Sequence, residues 1–78
     1  MDSLVYVVEP FQNEFFDFKV LAIEPDTEFV IDIIALTSMG AVFEYLLQHE
    51  AQVAYILHEP IPEGVPVLEY VLKGHYES

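Results

Sequence analysis

Glu28-Phe29-Val30-Ile31-Asp32-Ile33-Ile34-Ala35-Leu36 is the stretch whose reading decides the fold. Phe29, Ile31 and Ile33 alternate with Glu28, Val30 and Asp32, and the β-branched content favours a strand, because such side chains lose freedom in a helix and pack well on a pleated surface. A helix starting near Asp26 or Thr27 is the competing assignment, since a short apolar run does not separate the two by pattern alone. Read as a strand, it is the third in a row. Glu24-Pro25-Asp26-Thr27 supplies the turn before it. Glu14–Glu24 reads as the second strand, with Phe16, Phe18, Val20 and Ala22 on one face and a mixed face of Phe15, Asp17, Lys19, Leu21 and Ile23. Leu4–Val8 reads as the first strand, ended by Glu9-Pro10, because proline cannot donate to a ladder.

On the C-terminal side, Thr37-Ser38 offers an N-cap. From Met39 to about Ala51, apolar residues fall at Met39, Val42, Phe43, Leu46 and Leu47, the stripe of an amphipathic helix. Tyr45 lies off that stripe and is expected on the surface. Gly40 costs helix propensity in the first turn, which close packing on the sheet would explain. Gln52–His58 reads as a fourth strand. Glu59–Gly64 is a proline-rich connection, and Val67–Tyr76 alternates as a half-buried antiparallel edge strand. The order β-β-β-α-β-β predicts an α+β two-layer sandwich: an antiparallel sheet of four to five strands with one helix, in one domain spanning residues 1–78.

Charge is the strongest compositional signal. Fourteen carboxylates face two lysines and no arginine, giving a formal net charge of −12. Direct binding to nucleic acid or to an anionic membrane is not expected, since both require cations at phosphates. High charge with low hydrophobicity would mean disorder, but 54% of the residues are hydrophobic, so the chain is expected to fold. A domain this short buries only about 60% of the surface its unfolded chain exposes. Apolar surface is therefore expected to remain outside, for another chain to cover. The chain has no cysteine, which excludes disulfides and thiolate chemistry and fits a cytoplasmic setting. No secretory leader opens it. The longest stretch without an ionisable residue, Ile33–Phe43, is eleven residues, too short to span a bilayer.

The parts of an active centre are missing. Of the serines, Ser3 and Ser78 are terminal and Ser38 sits where a cap belongs, so no triad is expected. His49, His58 and His75 lie in separate elements without metal-ligand spacing, and Asp26, Glu28 and Asp32 lack the glycine-punctuated loop of a calcium site. Gly40, Gly64 and Gly74 are isolated, so no phosphate cradle is expected. The reading is a protein that is not an enzyme and uses no cofactor or metal.

What remains is the negative field. A 78-residue domain is roughly 30 Å across, and duplex DNA carries about 18 charges over that length. A charge of −12 is about two-thirds of that density. The expected function is an acidic protein–protein interaction module: an inhibitor or regulator that mimics nucleic-acid charge and blocks a basic, nucleic-acid-binding protein. Its acidic face would comprise Glu14, Asp17, Glu24, Asp26, Glu28 and Asp32, with Glu59, Glu63 and Glu69, and Tyr45 would be its aromatic contact. In size and charge alone the chain resembles phage-encoded counter-defence proteins, including anti-CRISPR and anti-restriction proteins, and that resemblance implies the cytoplasm of the host cell. The alternative is a structural or assembly module, a homodimer formed through an edge strand, Val67–Tyr76 above all, or through the helix.

Overall fold

A computed structural model describes residues 4–11 and 13–73. The elements run β1 (Val5–Pro10), β2 (Phe18–Ile23), β3 (Val30–Leu36), α1 (Met39–Gln48), β4 (Val53–Ile56) and α2 (Val67–Leu72). They form an α+β fold around one mixed four-stranded sheet in the order β3-β2-β1-β4.

The stretch from Glu28 to Leu36 is a strand from Val30 onward, antiparallel to β2. The competing helix goes no further than a single turn. The Glu28 N–H donates to the Glu24 carbonyl at 2.7 Å, and the Glu24 N–H donates back to the Phe29 carbonyl at 3.0 Å. The Glu24 carboxylate fixes this turn by accepting from the Asp26 and Thr27 amides at 2.8 and 2.9 Å. β3 carries a bulge: Ala22 faces Asp32 and Ile23 faces Val30, which leaves Ile31 unpaired.

The sheet is not fully antiparallel, and the reason is α1. Ser38 caps the helix, its Oγ accepting from the Ala41 N–H at 3.1 Å. Ten helical residues span about 15 Å and carry the chain back along the sheet. The next strand therefore starts at the same end as β3 and runs parallel to it. That strand, β4, pairs with β1 in parallel, from Val5 opposite Val53 to Val8 opposite Ile56. Because β4 stops there, β1 has a single ladder neighbour at Pro10, and a residue without an N–H is tolerated inside the strand. The helix ends with the Ala51 amide bonded to the Leu46 carbonyl and the Glu50 amide to the Leu47 carbonyl, a Schellman closure with Glu50 at φ 52°. Gly40 does not pack on the sheet: it is exposed, and a Cβ there would meet nothing closer than Ser38 Oγ at 3.8 Å.

The expected strand at Val67–Tyr76 is instead the short helix α2, over Val67–Leu72, and residues 74–78, with His75 and Tyr76, lie outside the described residues. The six-residue run VLEYVL suits either period. Leu68 and Val71, three apart, both turn into the core, as a helix requires. Glu69 lies within the first turn, where a negative charge suits the helix dipole. The chain thus has a second helix where a fifth strand was expected.

The two helices lie on opposite faces of the sheet, making three layers rather than two. Tyr6, Val8, Val20 and Ala22 pack under Val42 and Leu46 of α1. The alternate residues Val7, Leu21 and Ile23 pack with Leu57 and with Leu68 and Val71 of α2. The loop leading to α2 is held by Glu9, a 7%-exposed carboxylate. Its Oε1 accepts from the Ile61 N–H at 2.8 Å and its Oε2 lies 3.8 Å from Lys19 Nζ. Gly64, at φ 79°, supplies the left-handed turn in that loop.

Candidate interaction surface

Neither helix spans the sheet. A helix is about 10 Å wide and strands lie about 4.8 Å apart, so one helix covers two or three strands of four. On the α1 side, Ile34 and Leu36 of β3 are half-buried against the helix. On the α2 side, the helix covers β1 and β2 and leaves β3 bare. Leu21 faces Ile33 and Ile23 faces Val30; the β2 members are buried, and their β3 partners are exposed. With the bulged Ile31 beside them they form an apolar strip, in which Ile31 is 55% and Ile33 57% exposed; Phe29, 69% exposed, alternates with Val30 and belongs to the other side of the chain. An apolar run of this kind on a protein surface marks an interaction site.

Carboxylates bracket the strip. Glu28 precedes it, and its φ of 64° is one that glycine adopts at less cost. Glu24 and Asp26 share the same turn. Asp32 lies within β3, exposed on the α1 side, where its pairing partner Ala22 belongs to the core under α1. Asp17 closes the far end, its N–H donating to the Leu36 carbonyl at 3.0 Å. Glu14 belongs to the same β1–β2 loop, where the Asn13 side chain accepts from the Phe15 amide at 2.9 Å. Of the first six acidic residues expected on one face, Glu24, Asp26 and Glu28 thus lie in the turn before β3, Asp32 on the strand itself, and Glu14 and Asp17 in the loop at the other end of β2. The other three lie elsewhere: Glu59 and Glu63 are in the loop after β4, at the opposite side of the sheet, and Glu69 is on α2. Lys19, the cation of β2, is committed to Glu9 and lies 4.9 Å from the centre of the Phe11 ring.

Tyr45 is not the exposed aromatic contact that its place off the stripe suggests. It is half-buried, edge-on to Tyr6 with ring centres 6.2 Å apart, and it stacks on His49 at 4.0 Å. Burial pushes its hydroxyl above the ordinary tyrosine range, and the charges of Asp32 and Tyr6 add to the shift. The helix is rotated to seat Val42, Tyr45 and Leu46 inward, which turns Phe43 and Leu47 outward at 51% and 79% exposure. Together with Leu46, Glu50 and Ala51 these two line an open apolar hollow of about 310 Å³.

Sequence reasoning missed the exposure of Phe29, Ile31 and Ile33. The surplus of apolar residues was its one signal, and that surplus could not be assigned to a strand. Among the described residues, no three His, Asp or Glu side chains are placed to hold a metal ion, and no helix is long and apolar enough to cross a membrane. No protein-family model matches the chain, and neither a curated protein nor a solved structure matches it.

Proposed function

We propose that the protein is a non-catalytic, acidic interaction module that docks onto a positively charged protein through the bare side of β3. The observation that carries this reading is the exposed apolar set Val30, Ile31 and Ile33 on an edge strand that carries Asp32 on its other side and has Glu28 and Asp17 at its ends. The apolar side chains supply area, and the carboxylates select a cationic partner and steer its approach. The use of Glu at φ 64° supports the reading further. The turn itself would be better served by glycine, so the charge is what the position favours.

Of the positively charged proteins available, those that bind nucleic acid present the densest cationic surfaces. The protein's longest dimension is 32 Å, over which duplex DNA carries about 19 charges, against the −12 of this chain. Competition with nucleic acid for such a surface is the mode of action proposed, in the manner of the phage inhibitors that the chain resembles in size and charge. A second copy of the chain is the weaker occupant. Antiparallel pairing of two β3 edges would bring Glu28 and Asp32 of both copies to one seam, and like charges set opposite each other destabilise a sheet.

The test uses two columns, one carrying the protein and one its Ile33→Glu variant, loaded with a bacterial lysate at low salt and eluted at high salt. The expected result is a basic protein held by the first column alone, whose binding to duplex DNA is inhibited by the free chain. Identical retention on both columns, or DNA binding untouched by the chain, would sink the proposal.

A further inference from the structure

Resting on that reading, we infer that the partner contributes an extended segment of alternating apolar and Lys or Arg residues, which joins the sheet as a fifth strand along β3. Three observations lead there. First, β3 is an edge: β2 occupies one side of it and, among the described residues, no strand occupies the other. With seven residues it is nearly twice the length of β4, the four-residue strand at the opposite edge.

Second, its outward backbone groups can be assigned. In an antiparallel ladder, alternate residues turn their N–H and C=O to the same side. The Ile33 N–H is held by the Asp32 side chain, Oδ1 at 3.0 Å, and so is not committed to β2. Ile33 and, two residues on, Ala35 therefore present their amides to the open edge. Asp32 acts as a plug there: it occupies the amide that an incoming strand needs, as charged groups on natural edge strands do. A cation on the partner would draw the Asp32 carboxylate into an ion pair and release the Ile33 amide for the ladder. The plug therefore rejects neutral and acidic strands and admits basic ones.

Third, the spacing suits a strand. At about 3.3 Å per residue Asp32 lies about 13 Å from Leu36, whose carbonyl accepts from the Asp17 amide, so two acidic residues mark the regular part of β3. Asp32 turns to the α1 side, so a cation on that face of an added strand would meet it, while apolar residues from the strand's other face would lie over Ile33 and Val30.

The probe is a ten-residue synthetic peptide of alternating Lys and Val. Two controls accompany it: one with Glu for every Lys, and one N-methylated at its two central residues, which blocks both backbone edges while leaving side chains and charge intact. The expected result is binding of the Lys–Val peptide that slows hydrogen exchange at the Ile33 and Ala35 amides at least tenfold. The N-methylated peptide should bind at least tenfold more weakly, and the Glu peptide not at all. Equal binding of the methylated peptide would overturn strand addition and leave docking onto a basic protein intact. Absence of binding by the Lys–Val peptide, while a DNA-competing basic protein is still retained on the column, would likewise overturn this inference alone. Failure of both experiments would overturn the docking reading as well.

Discussion

The sheet has two edges, and each leaves one face of its outer strand uncovered. At β3 the bare face is on the α2 side and shows Val30 and Ile33. At β4 it is on the α1 side and shows Ala54 and Ile56, the residues opposite Tyr6 and Val8. Both arise because the layer on each face reaches three strands and leaves the fourth bare. They differ in length and in charge. β3 runs seven residues and carries Asp32, with Glu28 before it and Asp17 bonded at its end, whereas β4 runs four residues, VAYI, with no carboxylate inside it and Glu50 and Glu59 three residues off either end. Bare apolar surface thus follows from geometry, and the distribution of acids distinguishes a binding edge from one merely left over. A short strand already limits unwanted pairing, which is the protection β4 has. β3 has charge and a bulge instead.

The sharpest way to break this comparison is to place the same charge on each edge. Ile33→Glu is expected to weaken binding of the Lys–Val peptide and of the basic partner about 100-fold, about 2.7 kcal/mol, as loss of a central contact does. Stability should change by no more than about 0.5 kcal/mol, because the side chain is already exposed. Ile56→Glu should leave binding within about threefold. Titration calorimetry and thermal unfolding of both variants decide the matter, and equal losses of affinity would erase the distinction between the edges.

The next effect belongs to the β4 side and should leave β3 untouched. Glu9 holds the loop that follows β4, through its bond to the Ile61 amide. Glu9→Ala leaves that amide without its acceptor and Lys19 without its anion, and it is expected to cost about 1–3 kcal/mol of stability. Urea unfolding should show the loss while peptide affinity at β3 stays within about twofold. A parallel loss of affinity would mean that the α2 layer organises the β3 edge from a distance.

Much of this architecture is legible from residue type and spacing. The strand assignment of Val30–Leu36 follows from its β-branched side chains, and the Ser38 cap from a hydroxyl placed just ahead of an apolar stripe. Three features were not legible, each for a physical reason. VLEYVL is too short for a period of two to be told from one of 3.6, and packing of Leu68 and Val71, three apart, against the sheet is what a helix satisfies. The rotation of α1 is set by Tyr6, a residue more than thirty positions earlier, which offers Tyr45 a ring to pack against and so turns Phe43 and Leu47 outward. The parallel course of β4 is a property of the crossover as a whole, to which no single residue of β4 contributes a sign. Of the acidic face, five of the six residues from the first half fall in the two loops at opposite ends of β2, and Asp32 lies on β3. Glu59 and Glu63 are separated from them by the width of the sheet, and Glu69 sits on α2.

A smaller effect separates fold from function at Glu28. Glycine there relieves the left-handed strain and is expected to stabilise the chain by about 0.5–1 kcal/mol. The same change removes one carboxylate from the edge, an exposed ion pair worth about 0.2–1 kcal/mol, so affinity for the Lys–Val peptide should fall about two- to fivefold. Glu50→Gly, at the other non-glycine residue of positive φ, should give a similar gain in stability with no loss of affinity. If Glu28→Gly binds as well as the parent, the charge at position 28 has no part in recognition.

The smallest effect tests how far the charge of the β3 edge reaches. Asp32 is the β3 carboxylate on the α1 side, and its field adds to the burial that holds the Tyr45 hydroxyl above its usual range. A tyrosine whose folded value is raised keeps its proton longer in the native state than in the unfolded one. Its contribution to stability is therefore complete below about pH 10 and is lost as the pH rises through the folded value. Tyr45→Phe should flatten that alkaline loss. Asp32→Asn should bring the Tyr45 titration partway down, followed by ultraviolet absorbance as the difference from the Tyr45→Phe protein. Burial, the larger cause, persists in the variant, so full return to the ordinary value is not expected. No movement at all would confine the Asp32 charge to the outer rim of the edge, where it would meet a partner but not the helix.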